Sequence, residues 1–272
     1  LSERPRYRRR RLVAGSVALV VLAAAAVAAA AAYRHFHRDA PPEAELKTIT
    51  VTVPEGYTRE QTAALAKQAG LRGSYLKASV GHEGFLFPDT FELEKHAPAS
   101  DLVERQLEDF KQRIAGVDMS YARSKNLTTY DVVTIASMIE REAGLGSQRK
   151  LVAAVIYNRL HAGIPLGIDA TVRFATGNYE RPLTESELAI DSPYNTRVNA
   201  GLPPGPIDSP GLASIEAAAH PAQVDYLYYV TEPGACGKLA FSTTAAEFEA
   251  DVARYDEARE AAGGESPDTC EE

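Results

Sequence analysis

Apolar and polar positions alternate along this chain in a few distinct ways, and each predicts an element. Residues 12–33, LVAGSVALVVLAAAAVAAAAAY, hold no charge, Pro, Asn or Gln. As a helix they would span ~33 Å, enough to cross a hydrocarbon core. Residues 48–53, TITVTV, alternate β-branched side chains and read as a strand. Thr58 is placed to cap a helix over 59–69 that Gly70 ends. Leu102, Val103, Leu107, Phe110 and Ile114 follow helical spacing, so a helix is expected over 99–114 with Ser100 as N-cap. The segment 83–91, EGFLFPDTF, reads as an aromatic-rich turn around Pro88.

The strongest pattern is 128–144, TTYDVVTIASMIEREAG. Thr128 and Asp131 resemble a capping box and Gly144 is a natural stop. Val132, Val133, Ile135, Ala136, Met138 and Ile139 cover most of the circumference, which predicts a helix buried in a core. A second helix is expected over 147–161. Residues 163–211 are rich in Gly, Pro, Asp, Asn and Thr, with only 184–190 reading as regular. Tyr194, Leu202 and Ile207 recur through this stretch, so it is read as an ordered, functional loop region. Ser209 is expected to cap a helix over 210–219. DYLYYV (225–230) and KLAFST (238–243) predict a hairpin, 244–262 an acidic amphipathic helix, and 263–272 a flexible tail.

Charge sharpens this picture. Residues 1–38 contain eight Arg and one acid, a net +7. The whole chain is −8, so the remainder carries −15. Six Arg precede the apolar run, which by the positive-inside rule leaves 1–11 cytoplasmic and exports the rest. A cleaved signal peptide and a buried soluble helix are the competing readings of 12–33. Residues 34–47 then form a linker stiffened by Pro41 and Pro42. An overall acidic chain excludes a uniformly basic nucleic-acid binder, and two Cys in 272 residues exclude a disulfide scaffold. Cys236 and Cys270 either pair, tying the tail to the hairpin, or remain two thiols. Trp is absent, so any stacking must use Tyr or Phe.

Candidate chemistry is sparse. The six His show no zincin spacing, and G-x-S-x-G, P-loop and G-x-G-x-x-G motifs are missing, so neither metal nor cofactor is expected. Glu140 and Glu142 end the buried helix about 200° apart, so they cannot act as a coupled dyad. Glu142 falls on the apolar side, near Ile135, Met138 and Ile139, where desolvation raises a carboxyl pKa. A carboxyl still protonated near neutral pH suits a general acid. The plainer reading is that Glu-Arg-Glu is the wet end of a helix.

EGFLFPDTF (83–91), TIASMIEREAG (134–144), VAAVIYNRL and GIPLGIDATVRF (152–174), DSPYNTRVNAGLPPGPIDSPGLASIEAAAHPA (191–222) and the YLYYV and FSTT segments (226–244) occur in an order that resembles the YceG-like endolytic murein transglycosylases. The resemblance spans 83–248 and implies a membrane-anchored lyase of peptidoglycan glycan strands. It would cut the β-1,4 bond between N-acetylmuramic acid and N-acetylglucosamine and leave a 1,6-anhydro end. Its catalytic Glu, the second acid of the E-x-E pair, maps to Glu142, with Glu140 as structural support. Asp169, Thr171, Tyr194, Asn195 and Thr196 are candidates for contacts to sugar hydroxyls or acetamido groups, with turn-stabilising bonds to backbone as the alternative for Asp169 and Asn195. LPPGP (202–206) reads as a rigid wall. Such a family member would sit in the plasma membrane as a single-pass protein, with peptidoglycan synthases as further candidate partners. The alternative is a non-catalytic, membrane-anchored peptidoglycan-binding or scaffold protein.

The expected fold is therefore α+β: a transmembrane helix at 12–33, a small shortened LysM-like β-α module at 48–82, and a helix-rich catalytic domain at 83–262 with short strands and a long ordered loop region. The family places a larger LysM-like module before its catalytic domain, so binding of glycan by the shortened one alone is in doubt.

Overall fold

The computed structural model describes residues 5–36 and 47–267. Two units are present, Leu1–Leu46 and Lys47–Glu272. The first carries helix α1, Pro5–Phe36, which starts within the Arg run and extends past the apolar segment. Its stretch Leu19–Phe36, with mean hydropathy 1.7, is long and apolar enough to cross a membrane, and its side chains are exposed.

The second unit begins with strand β1 (Thr48–Thr52) and helices α2 (Arg59–Gln68) and α3 (Tyr75–Ala78). Thr58 caps α2 as expected, in a reciprocal box with Gln61. Strand β2 (Thr90–Glu94) follows the aromatic turn and pairs antiparallel with β1, Val51 opposite Phe91. This strand is not evident in the sequence pattern, because only Phe91 and Leu93 face inward. Val51, Val53, Leu71, Tyr75, Leu86, Phe91, Leu93, Leu102 and Val103 make a small core that draws residues from both sides of position 82–83. Within it the Tyr75 hydroxyl donates to Gln106 Oε1 at 2.6 Å.

Helix α4 (Ala99–Ala115) starts where the expected span of 99–114 does, with its N-cap two residues before Ser100. Pro98 is the N-cap and Ser100 lies in the first turn, its hydroxyl near Asp101 instead. Short α5 (Ser120–Ser124) leads to α6 (Thr129–Glu142), which has the Thr128–Asp131 capping box in place. Such a cap contributes about 1 kcal/mol. Every residue from Val132 to Ile139 is buried, and α6 forms the axis of the large core. After a 3-10 turn at Gly146–Gln148, α7 (Arg149–Ala162) packs along it.

The loop region contains more structure than its composition suggests. Helix α8 (Asp169–Thr176) forms in its first part and short α9 (Glu185–Leu188) in the middle. The wall at 202–206 is pinned to α6: the Tyr130 hydroxyl donates to Pro204 O at 3.2 Å, and Ser137 Oγ accepts from Ile207 N–H at 3.0 Å. Gly84 closes the other side. At φ +82° a side chain is strained, and a Cβ there would lie 2.3 Å from Pro206. Helix α10 (Leu212–Ala219) begins later than Ser209 would cap it; Gly211 is the N-cap.

Strands β3 (Tyr228–Thr231) and β4 (Leu239–Ser242) form the expected hairpin, and α11 (Ala245–Ala261) packs against it. The described part of the tail is fastened back: Pro267 is buried and accepts from Gly234 N–H at 2.9 Å. Cys236 is disulfide-bonded, and Cys270 lies outside the described residues.

Candidate active site

The site lies at the C-terminal end of α6. Helical periodicity turns Glu140 and Glu142 to different sides, and the two carboxyls meet different partners. Glu140 is 8% exposed. Its Oε2 accepts from Gly211 N–H at 3.0 Å and its Oε1 lies 3.4 Å from Arg149 Nη2. Glu140 thus caps α10 from another helix, the job the sequence assigns to Ser209. Ser209 instead exchanges backbone bonds with the β1–α2 turn, at Gly56 and Tyr57. A Cβ at Gly211 would lie 1.9 Å from the Glu55 carboxylate, so the half-exposed Glu55 side chain would have to swing aside.

Glu142 retains some open surface but is ringed by protein. The Tyr229 hydroxyl, from β3, donates to its Oε2 at 2.9 Å. The N–H of Ala170, in the first turn of α8, also points to it. Burial pushes the Glu142 carboxyl above the ordinary range. The nearby Asp169 charge pushes the same way, while the Tyr229 hydroxyl, Arg141 and the Ala170 N–H oppose it without cancelling it. Tyr229 is itself held well above its usual value by burial and by the adjacent carboxyl, so it stays a donor. The arrangement is a protonatable carboxyl held by a phenol and a helix N-terminus, with an aqueous side.

Tyr229 is the residue that sequence reasoning misses. It sits in YLYYV, whose alternation locates the strand but does not single out one of its tyrosines. The other sequence candidates separate into two groups. Asp169 stands beside Glu142, half-exposed, in an ion pair with Arg197 at 2.7 Å. Tyr194 is partly buried, its ring 4.9 Å from that of Phe174. Thr171, Asn195 and Thr196 are buried and make loop bonds. Thr171 Oγ1 donates to Ile168 O at 2.6 Å, and Thr196 Oγ1 accepts from Ile168 N–H at 3.0 Å. The Asn195 amide donates to Leu188 O and Ile190 O. These three fix the segment that presents α8 to Glu142.

A second acidic group flanks the site. Asp208 is 1% exposed, neither of its carboxylate oxygens has a hydrogen-bond partner among the described residues, and Arg141 Nε is 4.0 Å away. Burial holds it well above the usual range. Glu83 accepts from the Arg59 N–H at the start of α2, and burial, assisted by Glu60, pushes its carboxyl up to about 7. Among the described residues no cluster of three or more His, Cys, Asp or Glu is placed to hold a metal ion.

The fold has a known counterpart. A crystal structure of a yceG-like protein from Listeria monocytogenes superposes with a TM-score of 0.67 at 29% identity, over 74% of this chain and 75% of that one. A protein of Streptococcus pneumoniae named endolytic murein transglycosylase is 31% identical over 257 residues, covering 80% of this chain and 46% of the relative. One of the same name from Bacillus subtilis is 36% identical over 166 residues, covering 61% and 45%. The chain thus spans about half the length of the curated relatives it matches. The sequence profile of the YceG-like family matches residues 23–254, and the chain belongs to that family.

Proposed function

We propose that this chain is an endolytic lytic transglycosylase of peptidoglycan, with Glu142 as its single acid and base. The observation that carries the proposal is the Glu142 carboxyl, raised by burial and held by Tyr229 and the start of α8. The names of the relatives support the substrate class. Protonated Glu142 gives its proton to the oxygen leaving from muramoyl C1. The resulting carboxylate takes the proton of the muramoyl 6-hydroxyl as that oxygen bonds to C1. The glycosidic C–O bond breaks, the 1,6-anhydro ring forms, and Glu142 is restored to its carboxyl form. No water needs activation, so a second catalytic carboxylate is unnecessary.

In this reading α1 anchors the protein in the plasma membrane, with its Arg-rich end in the cytoplasm and residues 47–272 outside. The β-α part at 48–82 is a shortened LysM-like module. Its β1–α2 turn is bonded to Ser209, and Gly56 packs beside Glu140 and Arg141, so it braces the site. Thr171, Asn195 and Thr196 act on sugar only indirectly, by positioning the loop. The experiment is digestion of purified sacculi by the wild type and by Glu142→Gln. Anhydro-ended muropeptides are expected from the first alone. Equal product from both would sink the assignment, and a wild type that binds glycan without cutting it would support the scaffold reading.

A further inference from the structure

A groove of about 510 Å³ runs between the β-α part and the α8–α9 connection, and the mechanism above does not use it. Gln61 of α2 lines one side and residues 176–181 the other. Its volume is in the range of sites that take a small molecule or a sugar unit. The Tyr179 ring lines it and is backed by Arg141, whose guanidinium carbon lies 5.7 Å from the ring centre. Arg141 in turn faces buried Asp208. The ring is therefore a braced platform. Arg141 also directly precedes Glu142, so the platform belongs to the same end of α6 as the acid.

The polar groups select among ligands. Gln61 Oε1 accepts the Thr58 N–H in the capping box, and Nε2 has no partner among the described residues. That leaves an amide donor at the groove. Arg181 is paired with Glu187 at 2.8 Å, and it is the one cation among the described residues that line the groove. An anionic peptide stem finds no unpaired cation among those lining residues, while a neutral acetamido sugar needs none. We propose that this groove is a subsite for an N-acetylated sugar of the strand, remote from the bond that is cut. Tyr179 stacks on the ring and the Gln61 amide donates to the acetamido carbonyl. The inference rests on the glycan-strand reading, and it gives the β-α part a direct share in holding substrate.

Binding tests it separately from cleavage. The full chain carrying Glu142→Gln is titrated with short and long peptide-free glycan strands, alone and with Tyr179→Ala, Tyr179→Phe or Gln61→Glu added. Gln61→Glu keeps the capping acceptor and replaces the amide donor with a carboxylate. Tyr179→Ala should weaken long-strand binding about tenfold and leave short strands unchanged, while Tyr179→Phe stays near the parent. Gln61→Glu should weaken long strands alone. Equal long-strand affinity for the parent and Tyr179→Ala overturns the inference. So does a loss shared equally by short and long strands, or no binding of long strands by the parent. A wild type that leaves strands uncut while this length dependence persists would instead overturn the catalytic reading.

Discussion

The two sides of the last turn of α6 carry the same side chain in opposite circumstances. Glu140 accepts a backbone N–H from Gly211, faces Arg149 and holds α10 in place. Glu142 has no ion pair within 4 Å among the described residues; a phenol and one backbone N–H donate to it, and burial raises it. Contacts to a backbone N–H and a guanidinium make a brace, while desolvation makes a proton donor. Two residues of sequence separation suffice, because about 200° of helix puts the carboxyls against different neighbours.

Exchanging the two roles should fail in different ways. Glu142→Gln should lower turnover by about 10²–10⁴ at unchanged thermal stability, read as anhydro product and Tm side by side. Glu140→Ala leaves the Gly211 N–H without its acceptor and takes one partner from Arg149, which keeps Ser214 and Glu55; it should cost about 1–3 kcal/mol, seen as a lower Tm with the pH profile in place. A pH profile that moves in Glu140→Ala would erase the contrast.

Smaller effects sharpen it. Glu142 works protonated, so activity falls as pH rises through its pKa. Tyr229→Phe removes a donor that lowers that pKa, so the alkaline limb should move to higher pH while turnover falls. Asp169→Asn removes a charge that raises it, so the limb should move to lower pH. Shifts of the same sign in both variants would contradict the assigned surroundings of Glu142. The smallest effect is on stability. The folded Glu83 value of about 7 lies above the ordinary 4.5, so the folded chain binds more protons between them. Stability should therefore decline as pH rises from about 4.5 to about 7, and Glu83→Gln should flatten that slope in Tm measurements.

Much of the frame was legible from local signals. The helix α6 announces itself by its continuous apolar face and its Thr128–Asp131 box, and the divergence of Glu140 and Glu142 by their spacing on that helix. What sequence could not convey depended on tertiary partners. Helix α8 is eight residues long, with β-branched Thr171 and Val172, and forms because it packs on α6 and is bonded to Thr196. The cap of α10 comes from Glu140, which is 71 positions away. Tyr229 meets Glu142 across 87 positions, a distance no periodicity spans. Thr171, Asn195 and Thr196 look like ligands in a polar loop, yet their polar groups bond to the loop itself.

The central claim is that the muramoyl 6-hydroxyl, with its proton taken by Glu142, replaces water at C1. Digesting sacculi in ¹⁸O-labelled water and weighing the new chain ends by mass spectrometry tests it directly. The account predicts anhydro ends without label from the wild type and none from Glu142→Gln. Labelled reducing ends in place of anhydro ends would contradict it.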